Sequence, residues 1–336
     1  MPAADVALLA FGGPETVADV APFVAALTGA EPAPGMLAAV VARYEAIGGG
    51  SPLPAITRRQ AAALQVALAA RLDGAVRVRP GFLYCSPTVA DCLTELGDPA
   101  TVVLPMSPYS SRLTTGAYRA ALAAAGHAEL SLLAGWHVDP RYLAALSRRI
   151  GETLDGADAQ EFAVLFTAHN VPLETVAEGD PYVEQLQQTV AQLLPALMPG
   201  DWRLAFQSKG RRGGEWLEPE VVPAVHDLAA AGWKNLLVVP LGFVADHVET
   251  LYDLDIELRD VAESSGMAFL RSRALNDAPF FIEALADIVI EHLAHRPLTG
   301  PVDLGRGGPF SPGGSLGFGG PFGPGGPSEP GDGHGA

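Results

Sequence analysis

Phe162-Ala163-Val164-Leu165-Phe166-Thr167-Ala168-His169-Asn170-Val171-Pro172 starts as an almost unbroken apolar run and ends on a histidine, an asparagine and a proline. A short apolar run without alternation reads as a strand buried on both faces, as in a parallel sheet covered by helices. Pro172 halts the strand and fixes the turn, which leaves His169 on a defined loop. Open α/β sheets bind their ligands at the carboxyl ends of strands, where this imidazole falls. A lone histidine there is more often structural than functional, so its meaning depends on what neighbouring strands deliver.

Further runs of the same kind lie at Val6–Phe11, Val76–Tyr84, Thr101–Met106, Leu130–Trp136, Trp202–Gln207, Asn235–Phe243 and Met267–Arg273. Helical patterns such as Arg58–Arg71, Arg141–Leu154, Tyr182–Leu197 and Pro219–Ala231 separate them. Alternation of this sort predicts an α/β fold with right-handed crossovers. The eight strands divide into two sets of four, which suggests two Rossmann-like units, each a four-stranded parallel sheet flanked by helices. Asn276 or Asp277 can cap a last helix, Pro279 suits its first turn, and Phe280 to His295 is amphipathic. Residues 298–336 are rich in Gly and Pro and read as a disordered tail. His334, within it, reads as incidental.

The strand Asn235–Phe243 delivers Asp246, His247 and Glu249 much as Phe162–Thr167 delivers His169. An imidazole and a carboxylate facing each other across a crevice suit metal handling or proton transfer. If the segment after Phe243 is a helix at about 100° per residue, Asp246, Glu249, Asp253, Glu257 and Asp260 share an arc of roughly 80°. Like charges at i, i+4 repel, and a divalent cation would offset that repulsion. A solvated acidic face is the other reading of the stripe.

Three further loops draw notice, each with an ordinary turn as its bland reading. Phe11-Gly12-Gly13-Pro14-Glu15 can let a ligand approach the backbone closely. Tyr44 to Leu53 is a Gly-rich hinge before a helix, whose Ser51 and backbone N–H groups suit an anion. Phe206-Gln207-Ser208-Lys209 ends another strand. No nucleophile elbow, HExxH or paired CxxC is present, so hydrolase, zinc-protease and redox readings lack support.

At 336 residues and 49% hydrophobic, the chain can build one large core or two modest ones. A net charge of −17 argues against nucleic acid and anionic lipid as partners. Two cysteines, Cys85 and Cys92, cannot form a disulfide framework. With no leader pattern and no apolar stretch of spanning length, a soluble cytoplasmic protein is expected. The expected state is a monomer.

Several segments together are similar to the ferrochelatase family. They are LLAFGGPE at residues 8–15, RYEAIGGGSPLPAITRRQ at 43–60, TAHNVP at 167–172, FQSKGRRGGEWLEPEV at 206–221, VVPLGFVADHVETLYDLDIE at 238–257 and NDAPFFIEALADIV at 276–289. The resemblance runs to about Leu298 and looks closest to the soluble branch that acts on coproporphyrin. It implies two Rossmann-like domains with a porphyrin cleft between them: residues 1–118 with the returning helix 277–297, and residues 119–276 carrying the metal residues.

By the same resemblance, His169 matches a metal-handling, proton-accepting histidine and Glu249 the carboxylate facing it. Asp253 and Glu257 match an acidic ladder proposed as an outer metal site or entry route. Phe11, Ser51, Tyr109 and Arg112 fall on porphyrin-cleft loops. Phe11 stands where the soluble branch commonly has tyrosine, so no axial phenolate is offered. Some relatives hold a [2Fe–2S] cluster on four cysteines; with two, this chain is expected to hold none, and no resident cofactor is expected, Fe2+ being a substrate.

The implied reaction inserts Fe2+ into coproporphyrin III, with protoporphyrin IX as the nearest alternative. A cobalt or nickel tetrapyrrole chelatase and a non-catalytic haem or porphyrin carrier are the other readings. Among its carboxylate neighbours, Glu249 is expected to have a raised pKa and to serve as a proton relay.

Overall fold

A computed structural model describes residues 4–97, 102–210 and 213–295. The tail read as disordered lies outside the described residues. Among the described residues, seven strands form two parallel sheets. β1 (Ala4–Ala10), β2 (Val76–Phe82) and β3 (Val102–Pro105) make the first, in the order β2-β1-β3. β4 (Ala163–His169), β5 (Asp201–Gln207), β6 (Asn235–Pro240) and β7 (Ala268–Arg271) make the second, in the order β5-β4-β6-β7.

In the first half α3 (Leu53–Ala69), α4 (Val89–Leu96) and α5 (Thr115–Ala124) pack on the sheet, while α1 (Val20–Thr28) and α2 (Pro34–Ala46) pack on each other beside it. Next along the chain come α6 (Pro140–Leu154), α7 (Leu173–Ala177), α8 (Tyr182–Leu197), α9 (Val221–Ala230), α10 (Val248–Leu251), α11 (Arg259–Ser264) and α12 (Pro279–His295). α12 packs on both α3 and α6, so this helix returns to the first half.

The expectation of two four-stranded sheets holds for the second and fails for the first. Leu130–Trp136 makes one bridge, Val103 to Leu132, instead of a strand. Leu133 donates its N–H to the Val103 carbonyl at 2.8 Å, and then Gly135, at φ 77°, turns the chain away.

β4 shows why its apolar run lacks alternation. Val164, Phe166 and Ala168 enter a large core with Leu8, Leu104, Leu186 and Phe281, whereas Ala163 and Leu165 enter a smaller one with Leu228 and Leu258. Both faces are therefore buried, as in other helix-covered parallel strands. The large core draws side chains from both sheets and from α3, α6, α8 and α12. Glycines let the loops at its top close together. A Cβ on Gly50 would sit 2.1 Å from the Glu15 carbonyl oxygen, and one on Gly13 would sit 2.8 Å from Ser51 Cβ.

A core shared by both sheets should unfold as a unit. Urea unfolding followed by circular dichroism and by tryptophan fluorescence is expected to give coincident transitions. Phe281→Ala, which empties a fully buried position in α12, should lower stability by about 3–5 kcal/mol in both signals. Separate transitions, with only one shifted, would show two independent cores.

Candidate active site

His169 and Glu249 meet because β4 and β6 are neighbours in one parallel sheet. β4 ends at His169, while β6 runs out through Phe243 and Asp246 into α10, whose second residue is Glu249. His169 Nδ1 lies 2.9 Å from Glu249 Oε2. Burial disfavours an imidazolium here, but the Glu249 carboxylate outweighs it and raises the His169 pKa above its ordinary 6.5. Burial also opposes charge on Glu249, yet His169, then His247 and Arg43, hold its pKa down near 2. The expectation of a raised Glu249 pKa is thus overturned: its nearest partner is a cation, not another carboxylate.

The raised acid is Asp253. Burial and the neighbouring Glu249 charge lift it to about 7, despite Arg43 and the Ser208 hydroxyl. Arg43, on α2, donates to Asp253 and lies 3.7 Å from Glu257. Its guanidinium also stacks 4.7 Å above the Tyr252 ring. Ser208 donates to Asp253 Oδ2 at 2.5 Å from a left-handed backbone, φ 59°, a conformation that costs a non-glycine residue about 1–2 kcal/mol. Glu257, its side chain 57% exposed, ends the ladder at the surface.

The acidic stripe is therefore not one α-helix. Asp253–Leu258 is a π-helical turn between α10 and α11, and the Tyr252 carbonyl accepts from both Ile256 and Glu257 N–H. Such turns occur mostly at functional sites. Glu249, Asp253 and Glu257 follow Arg43 outward, whereas Asp246 and Asp255 turn to Arg271. The cation that offsets the repulsion among the ladder's inner members is Arg43. Among the described residues, no three His, Cys, Asp or Glu side chains converge as a metal site.

The pair sits on the wall of a cleft of about 180 Å3 that is partly open to solvent. Phe11, Phe23, Leu27 and Leu53 from the first half and Phe243, Val244 and Val248 from the second make its apolar surface. Ser51 is there as expected. It accepts the Leu53 N–H at 3.3 Å, and its own N–H is taken by the Pro14 carbonyl at 2.6 Å, so that group is not presented to an anion.

Tyr109 and Arg112 are not brought to the cleft wall. Tyr109 is buried with its ring beside His137 and Tyr182. Arg112 turns outward and pairs with Glu178, while its chain neighbours Ser111 and Leu113 face the cleft.

Sequence reading did not assign Arg43, Ser208, Gln207 or Tyr182, although each lies within or beside a quoted segment. Gln207 donates to the Glu249 carbonyl at 2.8 Å, and the Tyr182 hydroxyl donates to the His169 carbonyl at 3.2 Å. His247 also lines the cleft, its ring 4.5 Å from that of Phe243, and burial lowers its pKa. Cys85 and Cys92 are free thiols. None of the described helices is long and apolar enough to cross a membrane.

Comparison with known proteins points to one family. A protein from Herpetosiphon aurantiacus named ferrochelatase is 33% identical over 296 residues, covering 84% of this chain and 97% of its own. One from Deinococcus radiodurans is 32% identical, covering 84% and 94%, and one from a Picosynechococcus strain is 36% identical, covering 88% and 84%. Among solved structures, CbiX, described as the terminal enzyme of siroheme biosynthesis in denitrifying bacteria, superposes with a TM-score of 0.53 at 16% identity, covering 85% of this chain and 98% of its own. SirB from Bacillus subtilis superposes at 0.52 and 14%, covering 87% and 95%; both show a shared fold. The ferrochelatase family model matches residues 4–293, and the chain belongs to that family of enzymes, which insert metal into porphyrin.

Proposed function

We propose that this ferrochelatase inserts Fe2+ into coproporphyrin III to give coproheme, and that it does so in the cytoplasm. The observation that carries the reaction is the 2.9 Å contact between His169 and Glu249 on the wall of a largely apolar cleft. Coproporphyrin carries four propionates where protoporphyrin carries two, and the Ser51 hydroxyl borders the cleft, whereas those of Ser107, Ser111 and Thr114 already donate within the protein. Ser51 accepts from Leu53, so its O–H is left to donate to a carboxylate. Two free cysteines suit a reducing compartment.

Insertion replaces two pyrrole N–H protons with one Fe2+, so two protons must leave while the metal enters. With Nδ1 on Glu249, His169 keeps Nε2 for the macrocycle. Neutral imidazole is a suitable ligand for Fe2+ and a suitable base for a pyrrole proton. Glu249 balances the imidazolium that forms and approaches the metal from the same wall. Asp253, poised near 7, and exposed Glu257 then lead outward. Along this route iron or protons pass between pairs of groups and are not held in a cage, as release requires.

An anaerobic assay with Fe2+, run in parallel on coproporphyrin III and protoporphyrin IX, tests the substrate. Faster metallation of coproporphyrin is expected; preference for protoporphyrin would overturn that choice and leave the family intact. His169→Ala should lose insertion by at least about 100-fold while porphyrin binding, read by fluorescence quenching, changes little. Insertion at near wild-type rate in that variant would remove His169 from the reaction. Tight binding without metallation by Fe2+, Co2+ or Ni2+ in the wild type would favour a carrier.

The pair also sets a pH dependence. His169, with its pKa raised, adds stability that is full below 6.5 and lost as pH rises through the raised value. Glu249, with its pKa lowered, adds stability that is full above 4.5 and lost as pH falls towards 2. The pair therefore stabilises most between about 4.5 and 6.5. As a base His169 must be neutral, so insertion should rise with pH above 6.5. Histidine NMR titration of Glu249→Gln should show His169 deprotonating at lower pH than in the wild type; an unchanged titration would mean the carboxylate does not set its charge.

A further inference from the structure

Arg271 takes no part in the cleft, yet it touches both flanks of the segment that forms the reaction centre. It stands at the end of β7 with its side chain only 5% exposed. Nε and one terminal nitrogen donate to the two carboxylate oxygens of Asp255, each at 2.6 Å, and the other nitrogen donates to Asp246 Oδ1 at 3.0 Å. Asp246 lies three residues before Glu249, and Asp255 lies two residues after Asp253, inside the π turn. Asn276 completes the frame, accepting from the Asp246 N–H at 2.8 Å and donating to its carboxylate at 2.7 Å.

We propose that Arg271 is a positioning residue, which by forking onto Asp255 and reaching Asp246 holds Glu249 and Asp253 in the geometry that metal insertion needs. Three arguments support this. A π turn is a rare departure from the i→i+4 pattern of the α-helix on either side, so side-chain contacts at its ends can set its register. Arg43 grips the cleft side of the turn through Asp253, and Arg271 grips the far side through Asp255. Buried ion pairs add little to stability compared with apolar groups of the same shape, and their best-attested use is to fix register. The inference rests on the assignment of His169 and Glu249 as the reaction centre.

The fork is what makes Arg271 specific, because a lysine keeps the charge and cannot bind Asp255 with two parallel bonds while reaching Asp246. Arg271→Lys should stay folded and bind porphyrin within about twofold of wild type, since the macrocycle walls are unchanged. Its kcat/KM for Fe2+ should fall by about 10- to 100-fold, the scale of a reacting group displaced by about 1 Å. The double variant Arg271→Met with Asp255→Leu removes the guanidinium with the carboxylate it forks onto, while Asp246 keeps the Asn276 amide and the Thr250 hydroxyl, and should lose at least as much.

Steady-state kinetics with Fe2+ and porphyrin varied separately, with circular dichroism melting as the fold control, decide the matter. A selective loss in the Fe2+ dependence with melting and porphyrin affinity preserved supports positioning. Wild-type kinetics in the folded double variant would overturn it, as would losses in iron and porphyrin parameters that simply track a lowered melting temperature. An inactive His169→Ala beside a fully active Arg271→Lys would sink this inference while leaving the reaction centre in place.

Discussion

β4 and β6 are hydrogen-bonded parallel neighbours with Thr167 opposite Pro240, so both strands deliver their next residues to one edge of one sheet. That adjacency places a histidine two residues past Thr167 within 2.9 Å of a carboxylate nine residues past Pro240. Helices on both faces leave the carboxyl edge as the open side of such a sheet. The first half supplies the opposing wall, with Phe11 leaving β1 at the corresponding edge. The cleft thus follows from strand order, and the chemistry follows from what each strand carries at its end.

Charge along the second half's wall is graded by its neighbours. Glu249 stays ionised because imidazole groups and Arg43 surround it, and Asp253 rises to about 7 because burial and Glu249 outweigh Arg43. Glu257 meets water. Glu249 and Asp253 consequently differ in proton affinity although both are carboxylates, and Arg43 on α2 lets the ladder's members stand close together. Because Arg43 belongs to the first half and Asp253 to the second, the same contact fastens the two walls.

Most of the fold was legible because a strand buried on both faces leaves an unmistakable apolar run, and seven of the eight runs are strands. The eighth, Leu130–Trp136, failed because Gly135 turns the chain after one bridge. His169 and Glu249 were legible as strand-end residues. Their pKa values were not, since those depend on which neighbour is nearest in space and the sequence showed only neighbours along the chain. The acidic stripe misled in a similar way: constant helical pitch put Asp246 and Glu249 on one face, whereas the helix starts only at Val248, after an extended His247, and Asp246 turns to Arg271. Arg112 was placed on the right loop, but backbone pattern does not show which residue of a loop faces inward.

Metallation of a planar ring is hindered because its lone pairs lie in the plane, and a cleft can help only if it deforms less easily than its ligand. The joints between the halves bear on this. One apolar core runs through both. Gln60, buried on α3, donates at 2.7 Å to the carbonyl of Asn276, the residue whose side chain holds Asp246. Arg59 on the same helix pairs with Asp277. A wall that moved outward would break this line from α3 through Asn276 to the segment bearing Glu249, and would open the Arg43–Asp253 contact as well. Each buried group left without a partner would then bear its desolvation cost. These contacts hold the two walls of the cleft at a fixed separation, with the segment bearing Glu249 tied to both.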